Sequence, residues 1–189
     1  FVFLAAFEHA AREGWTDLTP ASLTLDEPAT FTFDDQVWEP KNYDEYDGEV
    51  TLRRALAMSR NLGTIRVGER IGFDKIASLW RQVGVGAAPK GYPSITLGVF
   101  ELTPFEVAEA YTMFTNGGAA HPLKAIDAVD AGPRHLVPKE LPMRHVARPG
   151  TTYLVTNMMR SVLNEGTGAG ARSAGFTLDA AGKSGTTND

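Results

Sequence analysis

Two short runs carry the side chains best suited to chemistry: Ser59-Arg60-Asn61 and, far downstream, Lys183-Ser184-Gly185. A lysine supplies fixed positive charge or a proton, a serine hydroxyl relays one, and an asparagine offers both a donor and an acceptor to an amide. Acyl transfer from a peptide calls for such a set: a nucleophile, a proton relay to the leaving amine, donors for the oxyanion and an anchor for the substrate carboxylate. Each run also has a plainer reading. Ser59 lies seven residues after Leu52, on the inward stripe of an expected helix, and a helix-end serine would look the same. Gly182-Lys183-Ser184 matches the last three positions of a phosphate-binding loop, but Thr177 stands where that loop needs a glycine. The GTTND that follows is also a poor helix former, so no nucleotide site is expected.

These residues must be positioned by elements that are mainly helical. Residues 1–11 read as a helix apolar on nearly every side, the pattern of a segment at the centre of a domain. It opens on Phe1 with no capping residue and reads as cut inside a helix. Residues 16–40, rich in Thr and Pro, predict loops and short strands, with alternation at Thr30 to Phe33. Thr51 caps a helix expected to reach about Ser59, with Leu52, Ala55 and Leu56 inward. Further helices are expected around Thr64 to Ile71 and from Asp74 to Val83, the second ended by Gly84. Thr103-Pro104-Phe105-Glu106 is a capping box with proline at the first helical position, and its helix should stop at Asn116-Gly117. Residues 118–148 predict a long excursion with a short hairpin, and Thr151 to Leu163 returns to helical spacing. At the end of the chain, LDAAGKSGTTND stops where a strand would be getting under way.

Composition narrows the function classes. The chain has 189 residues, 43% apolar and 22% charged, enough for one domain with a real core. Its net charge of −5, with no cluster of Lys and Arg, speaks against nucleic acid as a partner. The absence of cysteine excludes disulfides, thiolate zinc sites and cysteine nucleophiles. The longest apolar stretch, FVFLAAF, is far short of the ~20 residues of a membrane span. The acidic run NYDEYDG fails as a calcium loop, because counting from Asn42 puts Asp47 at the loop glycine and Arg53 at the bidentate glutamate; it reads as a solvated turn. His9, His121, His135 and His145 show no ligand spacing, so no metal is expected. Gly166, Gly168 and Gly170 spell G-x-G-x-G after a helix instead of a strand and read as a flexible loop.

Taken together with PKNYDEYDGEVTLRRALAMSRNLGTIRV, ITLGVFELTPFEVAEAYTMFTNGG, EGTGAGAR and AGKSGTTND, the two runs resemble the transpeptidase domain of penicillin-binding proteins, most closely the bifunctional class A type. The resemblance implies an α/β (α+β) fold: a mainly helical part of the serine β-lactamase and penicillin-binding-protein architecture, with short strands and the start of the catalytic β-strand. It implies one domain over 1–189, truncated at both ends. Of the family's signatures S-x-x-K, S-x-N and K-T/S-G, the second and third stand here, while no serine is followed by Lys three positions on. The resemblance places the missing nucleophile a few residues before Phe1, with FVFLAAFEHA continuing its helix.

The roles it implies are catalytic for Ser59 and Lys183, and substrate-binding for Asn61, Ser184, Gly185 and Thr186. Lys183, on a strand facing the cleft, supplies charge that lowers the pKa of a second lysine. Ser59 relays a proton to the leaving nitrogen, and Asn61 meets a substrate amide. Ser184 and Thr186 hold a terminal carboxylate, and the Thr186 N–H faces the oxyanion; Thr187 and Asn188 support the strand. Ser184 in place of the commoner Thr keeps the hydroxyl. The implied function is peptidoglycan cross-linking through a serine acyl-enzyme, with D-Ala-D-Ala stem peptides and β-lactams as ligands and no metal or cofactor. It would take place outside the cytoplasmic membrane, held by an anchor upstream. A serine β-lactamase or penicillin-sensing receptor shares the signatures, and a non-catalytic module follows if S-x-x-K is absent altogether.

Overall fold

Helix α1 (Val2–Glu13) is the hub, because its sequence leaves hardly any polar face: Val2, Phe3, Leu4, Ala5, Ala6, Phe7 and Ala10 are all buried. Gly14, in the left-handed conformation that glycine adopts without penalty, ends it. The structure, a computed structural model, describes residues 1–185. Strand β1 (Leu23–Asp26) pairs antiparallel with β4 (Gly48–Thr51), and the hairpin of β2 (Phe31–Phe33) and β3 (Gln36–Trp38) lies between them in sequence. Strand β4 runs straight into α2 (Leu52–Ala57), whose first turn is capped by the Thr51 hydroxyl accepting from the Arg54 N–H at 3.1 Å. Helices α3 (Asn61–Ile71) and α4 (Phe73–Val83) follow, α4 burying Ile76, Leu79, Trp80 and Val83 against α1 and ending at left-handed Gly84.

A 3₁₀ turn (Pro93–Leu97) leads to α5 (Pro104–Thr115), which begins with the full Thr103/Glu106 capping box. The excursion that follows is pinned at its base by β5 (Ala119–Ala120) pairing with β8 (Arg144–His145), and its tip is the exposed hairpin of β6 (Val129–Ala131) and β7 (Arg134–Leu136). Helix α6 (Pro149–Asn164) returns to the core with Val155, Met158, Met159 and Val162 fully inward, and the short α7 (Ala169–Ser173) follows.

One buried charge ties the hub to α6. Glu8, 5% exposed, accepts from the Arg148 backbone N–H at 2.8 Å and from the Thr151 hydroxyl, while the Arg148 guanidinium donates to the Glu8 carbonyl at 3.0 Å. Burial pushes the Glu8 carboxyl up, but the hydrogen bonds from Thr151 and Arg148 outweigh it and hold the pKa below its usual 4.5. The stability this carboxylate contributes is therefore complete above pH 4.5 and lost as pH falls through the lowered value. Glu8→Ala should cost about 2–4 kcal/mol in urea unfolding at neutral pH, since it strands buried donors. The gap from wild type should narrow only below pH 4.5, as Glu8 is protonated. A gap unchanged with pH would contradict the assignment.

The structure departs from the sequence reading at four places. Helix α2 stops at Ala57, so Ser59 lies in the turn between α2 and α3 instead of on a helical stripe. Residues 180–185 form no ladder, because no described strand lies beside them to supply one, and the expected catalytic strand is not seen through Gly185. The glycine run after α6 is not a loose loop: a side chain at Gly166 would collide with the Ala57 carbonyl, and the Thr167 N–H donates to that same carbonyl at 3.1 Å. NYDEYDG is not simply solvated, since Asn42 and Asp47 fold inward onto buried Asp26 and Arg60.

Candidate active site

Ser59 is presented on the sharp α2–α3 turn at φ 57°, a left-handed conformation that costs a non-glycine residue about 1–3 kcal/mol. Across the cleft the Lys183 ammonium donates to the Ser59 hydroxyl oxygen at 2.8 Å and to its neighbour's carbonyl, Ser184, also at 2.8 Å. Lys183 is exposed as a whole, but partial desolvation at the cleft lowers its pKa below the ordinary lysine value of 10.5. Because lysine is the donor, the hydrogen of the Ser59 hydroxyl is left to be given elsewhere.

Asn61 opens α3, whose first amides need acceptors that an arginine at the N-cap position cannot provide. The Asn42 carboxamide oxygen supplies one, accepting from the Asn61 N–H at 2.9 Å, and the Asn61 side-chain amide donates to the Lys41 carbonyl at 2.7 Å. The Asn61 carboxamide oxygen keeps its acceptor capacity, with no donor to it among the described residues. Ser184 meets Thr167, hydroxyl to hydroxyl, at 2.5 Å. Ser59, Asn61, Ser184 and Gly185 together form the wall shared by two lobes of the cleft, one of about 720 Å³ beside Lys41 and Thr167 and one of about 320 Å³ beside Lys183 and Phe1.

Five of the six residues singled out from sequence thus stand around one cleft; the sixth, Thr186, lies outside the described residues, as do Thr187 and Asn188. Thr167, Lys41 and Asn42 join the site without having been singled out. Their blocks were visible only as text shared with a family, since no spacing or periodicity marks a residue whose partner is distant in sequence. The first turn of α1 borders the Lys183 lobe. Among the described residues no three His, Asp or Glu side chains converge as a metal ion would require.

Residues 18–189 match the family of the penicillin binding protein transpeptidase domain. Penicillin-binding protein 1B of Vibrio cholerae is 35% identical over an alignment that covers all of this chain and 24% of the relative, so the chain spans about a quarter of that protein's length. Among solved structures, penicillin-binding protein 1A of Haemophilus influenzae superposes with a TM-score of 0.82 at 24% identity, covering 99% of this chain and 33% of the other. Penicillin binding protein 3 of Mycobacterium tuberculosis, solved in complex with aztreonam, superposes with a TM-score of 0.69 at 18% identity, covering 90% of this chain and 44% of the other.

Proposed function

Since the chain belongs to the penicillin-binding-protein transpeptidase family, we propose that its cleft carries out acyl transfer on peptidoglycan stem peptides ending in D-Ala-D-Ala, by way of a serine acyl-enzyme that β-lactams trap. The observation that carries this reading is the 2.8 Å contact between Lys183 and Ser59, which unites two motifs from distant parts of the chain. The nucleophile is assigned to a serine of an S-x-x-K motif on the stretch leading into Phe1 of the longer protein. Support comes from α1, whose first turn borders the Lys183 lobe.

In the first half-reaction that serine's oxygen attacks the penultimate D-Ala carbonyl, the peptide bond breaks, and the terminal D-Ala departs with a proton on its nitrogen. In the second, an amine of a neighbouring stem attacks the ester, forming the cross-link and returning the proton to the serine. Ser59 gives its free hydrogen to the leaving nitrogen and is replenished from the lysine side. Lys183 stabilises negative charge as it develops, and its charge lowers the pKa of the motif's own lysine. Asn61 accepts from a substrate amide, while Ser184, steadied by Thr167, binds the terminal carboxylate alongside Gly185 and Thr186. Aztreonam bound to the tuberculosis relative supports β-lactams as ligands here. On this reading the reaction runs outside the cytoplasmic membrane, at its outer face or in the periplasm; among the described residues no helix is long and apolar enough to cross a membrane.

Incubating the serine-bearing protein with a stem peptide tests this. Release of free D-Ala together with a cross-linked dimer is expected, both stopped by a β-lactam. A folded protein that releases no D-Ala would overturn the proposal.

A further inference from the structure

Arg60, between Ser59 and Asn61, is one of the most buried charges among the described residues, 5% exposed against an Asp26 that is fully buried. Its guanidinium grips Asp47 with two bonds of 3.0 Å, donates to the Glu45 carbonyl at 3.1 Å, pairs with Asp44 and lies 3.8 Å from Asp26. Asp26 in turn accepts from the Asn42 amide at 2.8 Å, from the Asp47 N–H at 3.0 Å and from the Gly63 N–H in the first turn of α3 at 3.3 Å. Asn42 closes the circuit by accepting from the Asn61 N–H. The side chain between the two site residues is thus anchored beneath the turn by carboxylates of β1 and the acidic loop, and the anchor reaches the backbone of both α3 and that loop, whose Asn42 and Asp44 also line the larger lobe of the cleft.

From this we propose that Arg60, acting through Asp26, Asp47 and Asn42, is the positioning residue for the site: it holds the strained Ser59 turn and the start of α3 in the arrangement that aims Ser59 at Lys183 and Asn61 at the cleft. The inference rests on the acyl-transfer reading. An isolated turn would relax a non-glycine residue out of the left-handed region. The arginine fork, bidentate on one carboxylate and near a second, resists rotation of the backbone at 60, and hence at 59, in a way that a single ammonium cannot. Displacing a reacting group by about 1 Å costs about 10²-fold in rate, so small play in this turn is enough to matter.

The test compares acylation by a fluorescent penicillin with thermal unfolding in the serine-bearing protein, for Arg60→Lys, for Arg60→Met combined with Asp26→Asn, and for Lys183→Ala as a control. Arg60→Lys keeps a charge beside Asp26 and should retain most of the stability while acylating about 10-fold slower, because the fork is lost. The double variant removes both buried charges, and should acylate about 10²-fold slower through the maximal rate and not through non-covalent binding. A stable Arg60→Lys with the wild-type rate overturns the inference even if the double variant fails to fold, and so do rates that simply track unfolding temperature. If Lys183→Ala is slow while the Arg60 variants are fast, only the positioning inference falls; if Lys183→Ala is fast, the acyl-transfer reading falls first.

Discussion

Lys183→Ala should slow acylation by a β-lactam about 10²-fold to 10³-fold, the usual loss when one preorganised electrostatic group is removed from an acyl-transfer site. Its ammonium is fixed at 2.8 Å from both the Ser59 hydroxyl and the Ser184 carbonyl, so no reorganisation is needed as charge develops. Asn61→Ala should cost less, since Asn61 orients an amide whose charge changes little during the reaction. Folding should be nearly unaffected because Lys183 is an exposed residue. The same residue gives a pH signature. Burial lowers its pKa, so the charged form that the role requires is lost as pH rises through a value below 10.5. Acylation should therefore decline on the alkaline side with an apparent pKa under that value. A Lys183→Ala protein that acylates like wild type would show that the Lys-Ser-Gly run plays no part.

Much of the helical frame could be read from the sequence because its signals are local. The Thr103/Glu106 box, the glycine after α4, and the apolar stripe of α6 each fix an element through residues a turn apart. The site was legible as residue types but not as geometry. Helical spacing carried Ser59 onto a buried stripe, whereas α2 ends two residues earlier and Arg60, at the N-cap of α3, reaches acids from β1 and the acidic loop. Nothing within a helical window reports a partner that distant in sequence. NYDEYDG misled for the same reason: three acids within four residues look solvated until a buried guanidinium is placed beside them. The glycine run misled because flexibility and close approach require the same residue; Gly166 lets the chain that follows α6 pass against the Ala57 carbonyl.

Ser59→Ala should come next after Lys183→Ala in effect, about 10²-fold, with ordered water partly standing in for the hydroxyl. Its size matters less than its relation to Lys183. If one hydrogen bond joins the two into a single relay, removing either breaks the same unit, and their effects will not multiply. The decisive measurement is the double-mutant cycle on second-order acylation rates for wild type, Ser59→Ala, Lys183→Ala and the pair, each checked for folding. The account predicts that the pair is about as slow as Lys183→Ala alone, within about threefold. Should the two losses instead multiply in full, Ser59 and Lys183 act separately, and the 2.8 Å contact on which the site is built is not part of the reaction.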